Sequence, residues 1–65
     1  MYIFDVGQEV YCNGDMKVYN NDVMIGKIVD VTVKDGNTIY IVEYHNSLIE
    51  GVGTFLGKDL ELIEK

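Results

Sequence analysis

Two β-branched runs joined by Asp35-Gly36 constrain this chain more than any other feature. The outgoing run is Ile25-Gly26-Lys27-Ile28-Val29-Asp30-Val31-Thr32-Val33-Lys34. The returning run is Thr38-Ile39-Tyr40-Ile41-Val42-Glu43-Tyr44-His45. Asp-Gly accepts positive φ at both central positions of a two-residue turn, and the twist of that turn matches a hairpin. A short strand at Thr54-Phe55-Leu56, a single helical turn at Gly57-Lys58-Asp59-Leu60 and a last strand at Glu61-Leu62-Ile63 follow. No stretch carries the period of an amphipathic helix of useful length. The pattern predicts an all-β fold: a small, partly open, five-stranded barrel with one 3-10 turn before the last strand.

Period-two alternation places Val6, Gln8, Val10 and Cys12 on one face of a first strand, Val6 to Cys12. Asn13-Gly14-Asp15 and Asn20-Asn21-Asp22 are turn signals. Residues 13–24 therefore read as one long excursion between strands, with a short paired piece at Lys17-Val18-Tyr19. In the long second strand Ile28 stands on one parity and Val29, Val31 and Val33 on the other. Burial on both faces produces this, and so does a bend or bulge partway. Gly26 would admit a neighbour's close approach. Tyr40, Val42 and Tyr44 share one face of the third strand. The expected core is Val6, Val10, Ile28, Val31, Val42, Tyr44, Phe55, Leu60 and Leu62.

At 65 residues the chain reads as one domain, residues 1–65, near the lower limit for a core held by burial alone. No run approaches the roughly 18 apolar residues of a membrane helix. The start, Met-Tyr-Ile-Phe-Asp-Val, lacks the basic region of a secretory signal. A single cysteine, Cys12, cannot form an internal disulfide, and the expected setting is reducing and cytoplasmic. The net charge is −6, from eleven acids and five lysines. With no arginine, the chain lacks the commonest bidentate reader of guanine and phosphate. Direct nucleic-acid binding is disfavoured by charge.

Several segments resemble SH3-like barrel modules of the Tudor-like and KOW-like kinds. Phe4-Asp5-Val6-Gly7-Gln8-Glu9-Val10-Tyr11 looks like their F-x-V-G-D-x-V opening. Gly26-Lys27-Ile28-Val29-Asp30-Val31 resembles their second strand, and Ile41-Val42-Glu43-Tyr44 their third. Phe55-Leu56-Gly57-Lys58-Asp59-Leu60-Glu61-Leu62-Ile63 is similar to their ending. The pattern also resembles compact stand-alone products of bacteria, phages and prophages. The resemblance implies a binding module. Tudor-like members hold methylated lysine or arginine in an aromatic cage. KOW-type members bind RNA or the transcription and translation machinery through basic loops, and others dock on proteins. This chain has neither basic loops nor a tryptophan.

Each candidate constellation has a structural counterpart. Tyr11, Tyr19, Tyr40, Tyr44 and Phe55 would make a cage if gathered at one end. Packing is the commoner role, with Val42, Tyr44 and Phe55 in the core and the other tyrosines at the edges with wet hydroxyls. The acids Asp30, Asp35, Glu43, Glu50, Asp59, Glu61 and Glu64 would mimic a phosphate array on an acidic inhibitor, or simply solvate a face. Cys12 and His45 are the one pair suggesting covalent catalysis, yet nothing in the sequence brings them together. No catalytic residue, cofactor or metal site is predicted: one Cys and one His do not make a zinc site, and the glycines match neither phosphate-binding fingerprint.

The leading expectation is a non-enzymatic protein-binding module with an unidentified protein partner. Its contact surface would be Tyr11, Met16, Tyr19, Met24 and Tyr44, since loops on a rigid scaffold carry specificity. The acidic nucleic-acid mimic and a KOW-type nucleic-acid-binding accessory are the alternatives. Exposed edge strands offer a further route, through strand addition or homo-oligomer formation.

Overall fold

The computed structural model describes residues 4–12 and 22–63, and the backbone alone at 18–19. Its strands are β1 (Glu9–Cys12), β2 (Val18–Tyr19), β3 (Asp22–Val23), β4 (Ile25–Lys34), β5 (Asn37–His45), β6 (Glu50–Leu56) and β7 (Leu60–Leu62). A 3-10 turn, Gly57–Asp59, precedes β7. Five strands form one antiparallel sheet in the order β6-β5-β4-β1-β7, and β2 and β3 form a separate two-stranded piece. The sheet is not closed, and the architecture is that of a small, partly open barrel.

The β4–β5 hairpin is the spine. Asp35 and Gly36 take φ of 53° and 79°, positive at both central positions as a tight hairpin turn requires. From the turn the register runs Lys34 to Asn37 through Asp30 to Ile41, then slips by one residue and resumes at Ile28 to Val42. Val29 is the extra residue of a β-bulge. It reverses the parity of β4: Gly26 and Ile28 face inward before it, Val31 after it. Directly opposed residues in an antiparallel pair share a face, so Gly26, Ile28 and Val31 meet Tyr44, Val42 and Tyr40. The mixed apolar parity of this strand thus comes from a bulge rather than from burial on both faces.

The buried core is Phe4, Val10, Cys12, Met24, Ile28, Tyr40, Val42 and Leu60, with Val31, Tyr44, Ile49 and Phe55 packed against it. Burying each large side chain is worth about 1.5–3 kcal/mol, and a core this short has little redundancy. Phe4 meets Tyr40 edge-on with ring centroids 5.4 Å apart. Its backbone N–H donates to the Tyr40 hydroxyl at 3.3 Å. Tyr40 is therefore a core residue, 1% exposed, and not the edge-capping tyrosine expected. One rigid ring fills the centre while a backbone donor satisfies its polar tip.

Three other expectations are corrected. Val6 is 60% exposed, because the first strand starts only at Glu9. Residues 5–8 form a tight turn closed by Gln8 N–H to Asp5 O at 3.2 Å, with Gly7 at φ 96°. Val6 takes the solvent-facing corner of that turn. Leu62 faces inward in register with Val10 but lies on the short edge strand and stays exposed. The strand expected at Thr54 begins earlier, at Glu50.

Candidate functional site

The sheet has two faces of opposite character, set by register. On the outer face, one row of directly opposed residues runs Glu61, Tyr11, Ile25, His45, Glu50 across β7, β1, β4, β5 and β6. The next row runs Glu9, Lys27, Glu43, Val52. Four carboxylates thus share two adjacent rows with one lysine. Side chains opposed in this way stand about 4.5–5.5 Å apart at Cβ, so Lys27 sits between Glu9 and Glu43.

An open depression of about 600 Å³ lies over the β5–β6 end of these rows. It is lined by Lys27, Glu43, Tyr44, His45, Glu50, Gly51 and Val52. Val52 supplies an exposed apolar surface, Glu43 and Glu50 the acids, and Gly51 contributes backbone alone, its side-chain direction lying on the opposite, Tyr44-covered face. Such a surface suits an extended, cationic segment, with the carboxylates matching its charge and Val52 its side-chain stems.

The predicted contact residues divide. Tyr11 is half-buried on the outer face, in the same row as His45 and Glu50. Tyr44 points to the inner face, where its ring meets Phe55 edge-on at 6.2 Å. A Cβ added to Gly51 would stand 2.7 Å from the Tyr44 hydroxyl, and one added to Gly53 3.2 Å from the ring. The ring lies over the two glycines and supplies the cover their missing side chains do not. Met24 is fully buried. Its carbonyl accepts the Cys12 N–H at 3.0 Å, which locks the end of the excursion onto β1, so Met24 is core and not contact surface. Met16 and the side chain of Tyr19 lie outside the described residues; the Tyr19 backbone pairs with Asp22.

Of the expected cage residues, Tyr40, Tyr44 and Phe55 share the inner face, with Phe55 opposite Tyr40 in register and edge-on to Tyr44, and they are packed into the core rather than open to a ligand. Tyr11 takes the outer face, Tyr40 the centre of the core, and Tyr44 and Phe55 the cover over the glycines. Cys12 and His45 stand on opposite faces: Cys12 is buried beside Leu60 in register, and His45 is exposed on the outer face. Burial pushes the Cys12 thiol up to about 11, far from the low value a nucleophile needs. Among the described residues no group of three or more His, Cys, Asp or Glu is arranged to hold a metal ion. No helix of the described residues is long and apolar enough to cross a membrane.

A polar knot holds the loop beside the depression. The Asn46 side-chain oxygen accepts the N–H groups of Leu48 at 2.9 Å and Ile49 at 3.0 Å. Asp22 Oδ2 accepts the Ser47 N–H at 2.9 Å. The Ser47 hydroxyl and then this N–H hold the Asp22 carboxyl below its usual range. The knot fixes where β5 ends and β6 begins, and so places His45 opposite Glu50.

Sequence reading missed Lys27, His45, Glu50 and Val52 as one surface. Alternation in Ile39, Ile41, Glu43 marked an outer face, but which residues of β4 and β6 joined it depended on the bulge. No family model matches the chain, and no curated protein or solved structure matches it.

Proposed function

We propose that the protein is a non-enzymatic protein-binding module, a small accessory or regulatory protein of bacterial or phage origin that works in the cytoplasm. Its outer sheet face receives a basic, extended segment of a protein partner. The observation that carries this reading is the open depression with Glu43 and Glu50 at its walls and Val52 exposed within it. The resemblance to SH3-like modules, whose members act by docking, supports it as well. Of the expected contact residues Tyr11 stays in this surface and is joined by Glu43, His45, Glu50 and Val52, while Met24 and Tyr44 leave it for the interior.

The same carboxylates support a second reading, an acidic mimic of nucleic acid that occupies the groove of a nucleic-acid-binding protein. Both readings predict attraction that weakens as salt screens charge. They separate by partner: the mimic's partner binds DNA or RNA, and added nucleic acid displaces this protein from it. Direct nucleic-acid binding of the KOW type has the least support, because the outer rows are acidic.

Fluorescence anisotropy of a labelled peptide rich in lysine and arginine tests the main reading. The wild-type chain is expected to bind at low salt. Glu43→Gln combined with Glu50→Gln should weaken binding at least about tenfold while the fold is retained, since both side chains are exposed. Equal affinity in wild type and double variant would remove the depression as the site.

A further inference from the structure

The two edges of the sheet differ in kind. At one edge β7 has three residues. At the other β6 has seven, Glu50-Gly51-Val52-Gly53-Thr54-Phe55-Leu56, and no described strand pairs with its far side. Its register with β5 is unbroken from Ile39–Leu56 to His45–Glu50. Proteins commonly block such an edge with proline, lysine, a bulge or an inward charge. β6 contains no proline, lysine or bulge, and Glu50, its single charge, lies at one end on the outer face.

The hydrogen-bonding phase of the edge follows from the loop. The Asn46 N–H donates to Ile49 O at 2.9 Å, so these two form a hydrogen-bonded pair. Pairs then alternate along an antiparallel ladder. Gly51, Gly53 and Phe55 bond to β5, while Glu50, Val52, Thr54 and Leu56 turn their N–H and C=O groups toward the open edge. All four of these residues also direct their side chains to the outer face.

We propose that β6 is a self-association edge, on which a second copy of this chain pairs β6 antiparallel to β6 about a twofold axis at Gly53. In that register Val52 meets Thr54 of the second copy, and Glu50 meets Leu56 of the second copy. Every open-edge group finds a partner, for about eight hydrogen bonds counted over the symmetric ladder. No like charges are directly opposed, because each Glu50 lies against a leucine. On the axis Gly53 faces Gly53, with no side chain to hold the backbones apart. A pairing shifted to oppose Val52 with itself would leave Leu56 out of the ladder and lose two of those bonds. The twofold axis is perpendicular to the sheet, so both outer faces end on the same side of one ten-stranded sheet. The two depressions, each lined by Glu50, Gly51 and Val52, then flank the axis. A partner with two basic segments would be held at both.

Sedimentation velocity on the full chain tests this without any ligand, so its outcome is separate from that of the peptide experiment. The expected result is a concentration-dependent rise from one chain mass to two over roughly 10–300 µM, within the range of weak interfaces. Added salt should strengthen the association, since two chains of charge −6 repel and screening relieves this. Val52→Pro removes an edge N–H that bonds nothing within the sheet, and Thr54→Glu sets a carboxylate diagonal to Glu50 of the second copy. Each should weaken association at least tenfold with the far-UV circular dichroism unchanged. Should Val52→Pro fail to fold, Thr54→Glu decides alone. A chain that stays monomeric across the range overturns the proposal, as does a dimer indifferent to the folded variants. A monomer that takes up an added extended peptide along β6 would overturn it too, in favour of a foreign strand.

Discussion

The β4–β5 hairpin is one continuous ladder with two unlike parts. Its inner part, Gly26 to Val31 opposite Tyr40 to Tyr44, carries Ile28, Tyr40 and Val42, all fully or almost fully buried. Its tip, Val33 to Thr38, carries the same class of residue, yet Val33 is 56% exposed. Local propensity is equal in the two parts. What differs is cover: β1 lies beside the inner part of β4, and Phe4 caps Tyr40, whereas the tip extends past the ends of β1 and β6. β-branched residues made both halves strand; only the neighbours made one half core.

The largest expected effect that tests this contrast is Tyr40→Ala. Truncating a central aromatic ring costs about 3–5 kcal/mol, a large part of the stability of a domain this small. Urea denaturation should find the variant mostly unfolded, and a loss below about 1 kcal/mol would show that the ring is not central. Next comes Gly26→Ala. Its new methyl would run into Val42 Cγ1 and stand 3.2 Å from the Glu43 carbonyl and 3.3 Å from Cys12 Sγ. Overpacking of this kind costs about 1–3 kcal/mol, read as a lower denaturation midpoint.

The other end of β5 supplies a control that is exposed like the tip but held by polar bonds. The Asp22 carboxyl is stabilised as the anion in the folded chain, so its contribution is present above its usual value of 3.8. It is lost as pH falls below 3.8 and through the lower folded-state value. The Ser47 amide resonance should titrate with Asp22 at a midpoint under 3.8, and Asp22→Asn should abolish that step. A midpoint at or above 3.8 would break the assignment. The smallest effect is expected at the tip: Val33→Thr should move stability by no more than about 0.5 kcal/mol. A loss comparable to that of Gly26→Ala would mean that the tip is covered after all.

Much of this fold was legible because its signals are local. Asp35-Gly36 announced the turn, the flanking runs announced β4 and β5 almost to the residue, and Gly57-Lys58-Asp59 announced the last turn before β7. The outer face was not legible, for a specific reason. Counting back from the turn without a slip sets Lys27 opposite Tyr44; with the bulge at Val29 it stands opposite Glu43. One extra residue therefore decides which side chains share a face, and nothing in Ile28-Val29-Asp30 locates it. Met24 and Tyr40 were misread because their burial depends on residues distant in sequence: β1 for the first, Phe4 for the second. Val6 was misread because alternation continued through a turn that only Gly7 betrays.

Cys12 gives the molecule a chemical clock. The thiol is sealed by its place between β4 and β7, and β7 is only three residues long. A thiol reagent in solution reaches it when that edge peels away or the whole chain opens. The labelling rate, followed against denaturant, then separates the two routes: fraying of β7 responds weakly, global opening steeply. A single sulfur atom thus reports how often the sheet lets go of its shorter edge.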